Sequence, residues 1–349
     1  MRLKNCPEYM RRAFIVVGLL LPTLLAAARS VNVGTDVRVY GYSVFNIASN
    51  STHFSDMDYL ADWYQIEFGY RLLNFLVSRL THNIFWLLGA VQLIILVCVY
   101  QALKFHQKNI MPDLDIAWGL AVFYFLFYNE TLNLIRQSLA IAIILYAFRY
   151  VYQRRPFWYC FWVVLAMQFH ITAVIAIVIY PIYYFVVVKR QKIVFYGIVI
   201  GSIFGGSILP RLISIVIRSG ILGSKFIRYL NMGEGDLSLS QMVIRIPFVL
   251  ILYYWAKKRT IDEDWADFWI AVLMLDFAFA ELRSVLISLY RISLYFSWFK
   301  MAAYSEVLRG ISAKNRKIVA WGLLAFFMLL WWYQSIHMGN NDTYPYSAA

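Results

Sequence analysis

The stretch 133–151, NLIRQSLAIAIILYAFRYV, decides the fold. Between Leu134 and Val151 the only charged residues are Arg136 at the start and Arg149 near the end. A helix of this length crosses most of a hydrocarbon core about 30 Å thick. Runs of similar character recur near 13–28, 83–103, 114–129, 157–170, 171–188, 193–209, 241–256, 265–281, 288–306 and 318–336. The sequence therefore predicts an all-α polytopic membrane protein with about eleven transmembrane helices.

Composition agrees. Of 349 residues, 62% are hydrophobic, 18% aromatic and only 15% charged, where a soluble domain carries about 25% charged residues. The net charge of +13 could suit nucleic acid, but the apolar runs leave no room for a soluble basic domain. No nucleic-acid partner is expected, and the contacts expected are with membrane lipids. Cys6, Cys98 and Cys160, the only cysteines, offer neither a disulfide framework nor metal-ligand spacing. The basic start followed by Ala26-Ala27-Ala28 has a signal-like outline, yet a polytopic chain needs no removable leader.

Short loops set the orientation. Arg11-Arg12, Lys104/Lys108, Arg154-Arg155, Lys189-Arg190/Lys192, Lys257-Lys258-Arg259 and Arg309/Lys314/Arg316/Lys317 fall on alternate sides in register. They place the N-terminus in the cytoplasm and the C-terminus outside. Two outer segments are long, about 29–82 and 210–240. The first holds an amphipathic pattern from Trp63 to Leu80. The second repeats Arg211, Arg218 and Lys225 every seven residues with Arg228 beside them, a basic stripe on an interfacial helix. No internal repeat divides the chain, so a single domain over 1–349 is expected. Asp262-Glu263-Asp264 reads as a solvated cytoplasmic loop.

On this topology the inner face carries about ten Lys and ten Arg, and the outer face about eleven Arg with only Lys225. Arginine is a permanently charged planar fork that grips phosphate bidentately, whereas lysine is a point charge. An outer rim built of arginine points to a phosphorylated substrate held there.

Five groupings lie at that rim. Arg29 precedes Gly34-Thr35-Asp36 and Tyr40, where Asp36 could orient a cation or accept sugar hydroxyls; an ordinary polar loop is the plain alternative. Glu67-x-Gly69-Tyr70 offers an interfacial carboxylate as a general base, or a surface Glu paired with Arg71 at i+4. Asn133-x2-Arg136-Gln137 puts a guanidinium at the dipole-positive start of an apolar helix, where an anion would compensate it; a salt bridge to Glu130 or snorkelling would also serve. Phe169-His170-x-Thr172-Ala173 sets a histidine at a hairpin turn, either poised near neutral pH or merely hydrogen-bonded. Glu281-x-Arg283, Arg291-x3-Tyr295-Phe296 and Arg245 gather near three helix ends, for function or as a structural network. Arg38, Arg71, Arg79, Arg245 and Arg283 have structural readings. No phosphate-binding loop, nucleophile elbow or zinc-site pattern sits in the context it needs.

In order and spacing these segments resemble the EpsG-like branch of the Wzy polysaccharide polymerases. The likeness rests on Arg29 with Gly34-Thr35-Asp36 and Tyr40, Glu67-x-Gly69-Tyr70, Asn133-x2-Arg136-Gln137-Ser-Leu-Ala140, Phe169-His170-x-Thr172-Ala173, Arg291-x3-Tyr295-Phe296 and Tyr344-Pro345-Tyr346. It implies a bacterial inner-membrane enzyme of GT-C-like fold. Such an enzyme joins oligosaccharide repeats carried on undecaprenyl pyrophosphate into O-antigen, capsule or exopolysaccharide.

On this basis Arg136, Arg291, Arg29 and Gln137 are expected at the pyrophosphate. Arg211, Arg218 and Arg228 are expected to draw in a second lipid diphosphate. Glu67, then His170, then Asp36 are candidates for the base, and Tyr40, Tyr70 and Tyr295 for glycan contact. A single displacement would invert the anomeric centre. Arginines can replace a metal here, so no cofactor is expected; a chain-length regulator is a further candidate partner. The alternatives are an O-antigen ligase type of glycosyltransferase and a flippase for lipid-linked oligosaccharides. A transporter would place charges near the bilayer midplane, where Asp276 is the one candidate.

Overall fold

A computed structural model describes residues 7–63, 65–112, 114–219, 239–258, 263–284, 289–309 and 311–349. Among the described residues the protein is helical throughout, and its one β-type contact is an isolated antiparallel bridge between Arg29 and Ala348. In a bilayer only a helix or a closed barrel satisfies its own backbone. The helices are α1 (Glu8–Ala27), α2 (Tyr42–Asn50), α3 (Tyr59–Trp63), α4 (Phe68–Ser78), α5 (Ile84–Asn109), α6 (Ile116–Leu126), α7 (Tyr128–Asn133), α8 (Ile135–Tyr152), α9 (Pro156–Met167), α10 (Ile179–Tyr183) and α11 (Lys192–Arg218). They continue as α12 (Leu239–Lys257), α13 (Glu263–Ala280), α14 (Leu294–Ser297), α15 (Lys300–Arg309) and α16 (Ala313–Trp331).

Three stretches are long and apolar enough to cross a membrane: Ile84–Asn109, Ile171–Val188 and Lys314–His337. Five shorter apolar helices accompany them: Arg12–Ala27, Ile116–Leu126, Pro156–Met167, Lys192–Gly205 and Ile244–Tyr254. The protein is an all-α membrane protein. Two boundaries differ from the sequence reading. α11 runs through Pro210 to Arg218 instead of ending before a loop, as prolines in membrane helices often permit. The amphipathic helix begins at Phe68 instead of Trp63, because Gln65 takes a positive φ of 51° and Glu67 is extended.

The chain divides into two compact units. The first comprises Met1–Arg149, Phe157–Val174 and Lys317–Ala349. Here α1 packs along α5. Pro22 has no N–H to give Gly18, and the Tyr124 hydroxyl donates to that orphaned carbonyl at 2.5 Å. Tyr128 donates to Pro22 O at 2.7 Å. Farther along, Arg71 binds Asp58 (2.7 Å) and Met57 O while lying over the Phe54 ring. Arg79 donates to Ala48 O (2.6 Å) and covers Phe75. These two arginines are structural, tying α4 to the turns before it.

The second unit comprises Tyr150–Pro156 and Ile175–Arg316. α13 is its axis, with α11 and α12 packed on it. Asp276 of α13 is buried and receives hydrogen bonds from Arg245 Nε (2.9 Å) and Lys300 Nζ (2.8 Å). Ser293 and Ser297 complete the cluster, accepting from Arg245 and Lys300. Arg245 and Lys300 thus meet on one buried carboxylate. Of the acidic run, Glu263 and Asp264 stand in the first turn of α13, and Asp262 lies outside the described residues. Lys192 binds Glu263 (2.7 Å) and Asp267 (2.6 Å), and Arg190 binds Asp264 (2.8 Å). Acids in a first helical turn are favoured by the helix dipole.

Candidate functional site

The first unit draws four of the sequence groupings together. α8 starts at Ile135, so Arg136 stands in its first turn. Its guanidinium forms an ion pair with Glu67 and donates to Gln65 O at 3.1 Å. Neither local alternative occurs: Glu67 does not take Arg71, and the acid on Arg136 is Glu67, not Glu130. The cause is backbone geometry. Glu67 caps α4 in an extended conformation (φ −64°, ψ 151°), which turns its side chain off the face that Arg71 occupies. Its other oxygen accepts the Ile171 N–H at 3.2 Å.

That contact ties Glu67 to the His170 hairpin, and a second backbone contact reinforces it. Gly69 N–H donates to Gln168 O at 2.7 Å. A Cβ on Gly69 would stand 2.8 Å from the same oxygen, so the approach requires glycine. His170 Nδ1 lies 2.6 Å from Thr172 Oγ1 in the same turn.

Tyr40 links the pair to the 29–40 segment. Arg136 lies over its ring at 4.5 Å, and the Tyr70 ring meets it edge-on at 6.1 Å. The Tyr40 hydroxyl donates to Asp36 Oδ2 at 2.6 Å. Burial first, and then the Asp36 charge, push the Tyr40 hydroxyl well above the usual phenol range. Burial also pushes wholly buried Tyr70 up to about 12, so both stay protonated at neutral pH. Asp36 N–H is held by Asn133 Oδ1 at 3.2 Å. The turn before it needs Gly34, which has φ 88° and no room for a Cβ against Leu132 O.

Arg29 is only 4% exposed. It donates to Ala26 O at 2.7 Å, capping the end of α1. Among the described residues its electrostatic neighbours are tyrosines (Tyr128, Tyr70, Tyr346 and Tyr40), with no carboxylate among them. Burial pulls it down to about 10, which leaves it charged at neutral pH. Its Nε and the Nε of Arg136 are both buried without a hydrogen-bond partner among the described residues. Buried polar groups of this kind are rare and call for a ligand or water.

The chain's end also belongs to this site, which no periodicity in the sequence foretold. Gly339, Asn341 and Asp342 take positive φ, folding the tail back after α16. The signal was the Gly339-Asn340-Asn341-Asp342 turn cluster. Asp342 accepts Thr35 Oγ1 at 2.6 Å and Gly34 N–H at 2.8 Å, with Arg38 at 3.6 Å. Asn129 binds Thr343 at 2.6 Å. Ser30 N–H donates to Ser347 O at 2.9 Å, Ala349 N–H to Ala28 O at 2.8 Å, and Tyr346 OH to Leu25 O at 2.7 Å.

The remaining predicted residues are placed as follows. Gln137 is buried in α8 of the first unit. Arg291, Tyr295, Arg211 and Arg218 belong to the second unit. There Tyr295 is wholly buried, Arg291 is partly exposed, and Arg211 and Arg218 are exposed on α11. Arg228 and Lys225 lie outside the described residues, as does the Arg283 side chain. Among the described residues no group of three or more His, Cys, Asp or Glu could hold a metal ion.

No curated protein and no solved structure matches the chain. The model of the EpsG family matches residues 12–348.

Proposed function

The chain belongs to the EpsG family, whose members are Wzy-type polysaccharide polymerases, and on that premise we propose how it acts. It joins oligosaccharide repeats carried on undecaprenyl pyrophosphate at the periplasmic face of a bacterial inner membrane. The scaffold is an eleven-span bundle of GT-C type, with the N-terminus cytoplasmic and the C-terminus periplasmic. The observation that carries the proposal is the pair Arg29 and Arg136, whose buried Nε atoms have no hydrogen-bond partner among the described residues. Arg136 shares its charge with Glu67, but a buried cation such as Arg29 is costly without an anion. A diphosphate would supply both the charge and the acceptor oxygens.

In the reaction, an acceptor hydroxyl displaces the diphosphate from the anomeric carbon with inversion. Negative charge grows on the leaving oxygen. Fixed donors aimed at developing charge are often the largest catalytic contribution. Arg136 and Arg29 act there with Gln137 assisting, and Arg211, Arg218 and Arg228 draw in the second lipid diphosphate. Glu67 has both oxygens engaged, by Arg136 and by Ile171 N–H, so it is assigned to aiming Arg136. Partly exposed Tyr40 lines the glycan path, backed by buried Tyr70. Fixed arginines take the part a metal would play, and a chain-length regulator is a further partner.

Complementation tests the assignment. In cells lacking the native copy, Arg136→Ala at normal expression should abolish full-length polymer, and normal polymer would refute it. One observation favours a second reading: the buried Arg245–Asp276–Lys300 cluster is of the kind a flippase for lipid-linked oligosaccharide places within the membrane. Transport of lipid-linked repeats across liposomes without any product ladder would establish it.

A further inference from the structure

The acceptor hydroxyl must lose a proton as it attacks, and the leaving-group arginines cannot take it. Among the candidate carboxylates, Glu67 is bound up with Arg136. Asp36 stands differently. It is partly exposed, its backbone is fixed by Asn133, and the Tyr40 hydroxyl points its proton at Oδ2 from 2.6 Å.

Tyr40 has a particular position. Its ring lies beneath the Arg136 guanidinium at 4.5 Å, while its hydroxyl reaches Asp36. Tyr70, beside it, is wholly buried, whereas Tyr40 is partly exposed. One side chain therefore spans the distance between the proposed leaving-group cation and a carboxylate. A diphosphate held by Arg136 would then lie within one side chain's reach of the Asp36 carboxylate.

We infer that Tyr40 and Asp36 form a proton relay for the acceptor sugar, with Tyr40 as the group that touches the attacking oxygen. This rests on the polymerase assignment made above. The acceptor oxygen forms its bond to the anomeric carbon. Its proton passes to Tyr40 Oη as the Tyr40 proton passes to Asp36 Oδ2. The carbon–oxygen bond to the diphosphate breaks, and its electron pair leaves on the diphosphate oxygen. The products are the inverted glycoside, free polyprenyl diphosphate and a protonated Asp36, which returns its proton to water. Tyr40 is neutral before and after, as its environment requires.

The phenol hydroxyl separates this role from packing. Tyr40→Phe keeps the ring under Arg136 and against Tyr70, and removes only the relay oxygen. With purified full-length protein and lipid-linked repeat units, Tyr40→Phe and Asp36→Asn should each lower the turnover rate about 100-fold or more, with KM little changed. Acting as one unit, the double variant should be no slower than the slower single. Wild-type turnover in Tyr40→Phe would overturn the relay and leave Tyr40 a packing residue. Losses that multiply in the double variant would overturn it too, since two independent roles would then be in play. No product from the wild-type protein would instead refute the polymerase assignment, and the relay with it.

Discussion

Glu67 and Arg136 form an ion pair across 69 residues of sequence, and each side chain is only 16% exposed. The pair joins the N-cap of an amphipathic helix, α4, to the first turn of α8. A carboxylate that aims a guanidinium leaves some of its donors for a ligand. The geometry of the fork, and not charge alone, should matter.

Arg136→Lys should therefore lower polymer formation by about 100-fold or more, the usual scale for one charge-stabilising donor. Glu67→Gln, which leaves the guanidinium in place but slackens its aim, should cost less. Chain-length profiles from complemented cells would show both. Unimpaired activity in Arg136→Lys would show that a point charge suffices there.

Among the described residues Arg29 is buried with no acid beside it, so its charge serves the ligand more than the fold. Arg29→Met should keep thermal stability within about 1 kcal/mol, the worth of the one capping hydrogen bond to Ala26 O. Activity should fall about 100-fold. Melting curves and polymer yield measured on the same preparation decide it. A large drop in stability with retained activity would make Arg29 a helix cap and nothing more.

The tail reaches the site through Asp342, which holds both Gly34 and Thr35. Asp342→Ala should loosen the turn that carries Asp36 and reduce activity, with a stability loss of about 1 kcal/mol from the Thr35 bond. Gly34→Ala should do more harm, since the backbone is left-handed there and Leu132 O bars a side chain. Comparing melting temperature and turnover for the two variants tests this order.

In the second unit, Asp276→Ala leaves Arg245 and Lys300 buried without their shared carboxylate. Removing one partner of a buried ion pair costs about 3–5 kcal/mol. The variant should accumulate poorly in membranes and melt early. An unchanged melting temperature would show that these cations have another counter-charge.

Much of this was open to reading from the chain. Hydrocarbon length selects apolar runs directly, so α5, the 171–188 span and α16 fall where the sequence put them. The resemblance grouped Asp36, Tyr40, Glu67, Arg136 and His170 with Arg291 and Tyr295; the first five belong to the first unit and the last two to the second. What pairs with what was hidden. The i+4 rule joins Glu67 to Arg71, but the extended cap at Glu67 sends it to Arg136 and leaves Arg71 to Asp58. Asn341 and Asp342 carry no periodic signal, and only folding brings them to Asn133 and Thr35, about 200 and 307 residues away. The partner of Arg245 was hidden too, because no spacing rule links it to Asp276, which holds it inside.

The central claim is tested most directly with purified protein in detergent, given only lipid-linked repeat units and EDTA. A ladder of products separated by one repeat, made without divalent ions and lost in Arg136→Ala, is the predicted result. Absence of any ladder, or a ladder that Arg136→Ala makes equally well, would contradict it.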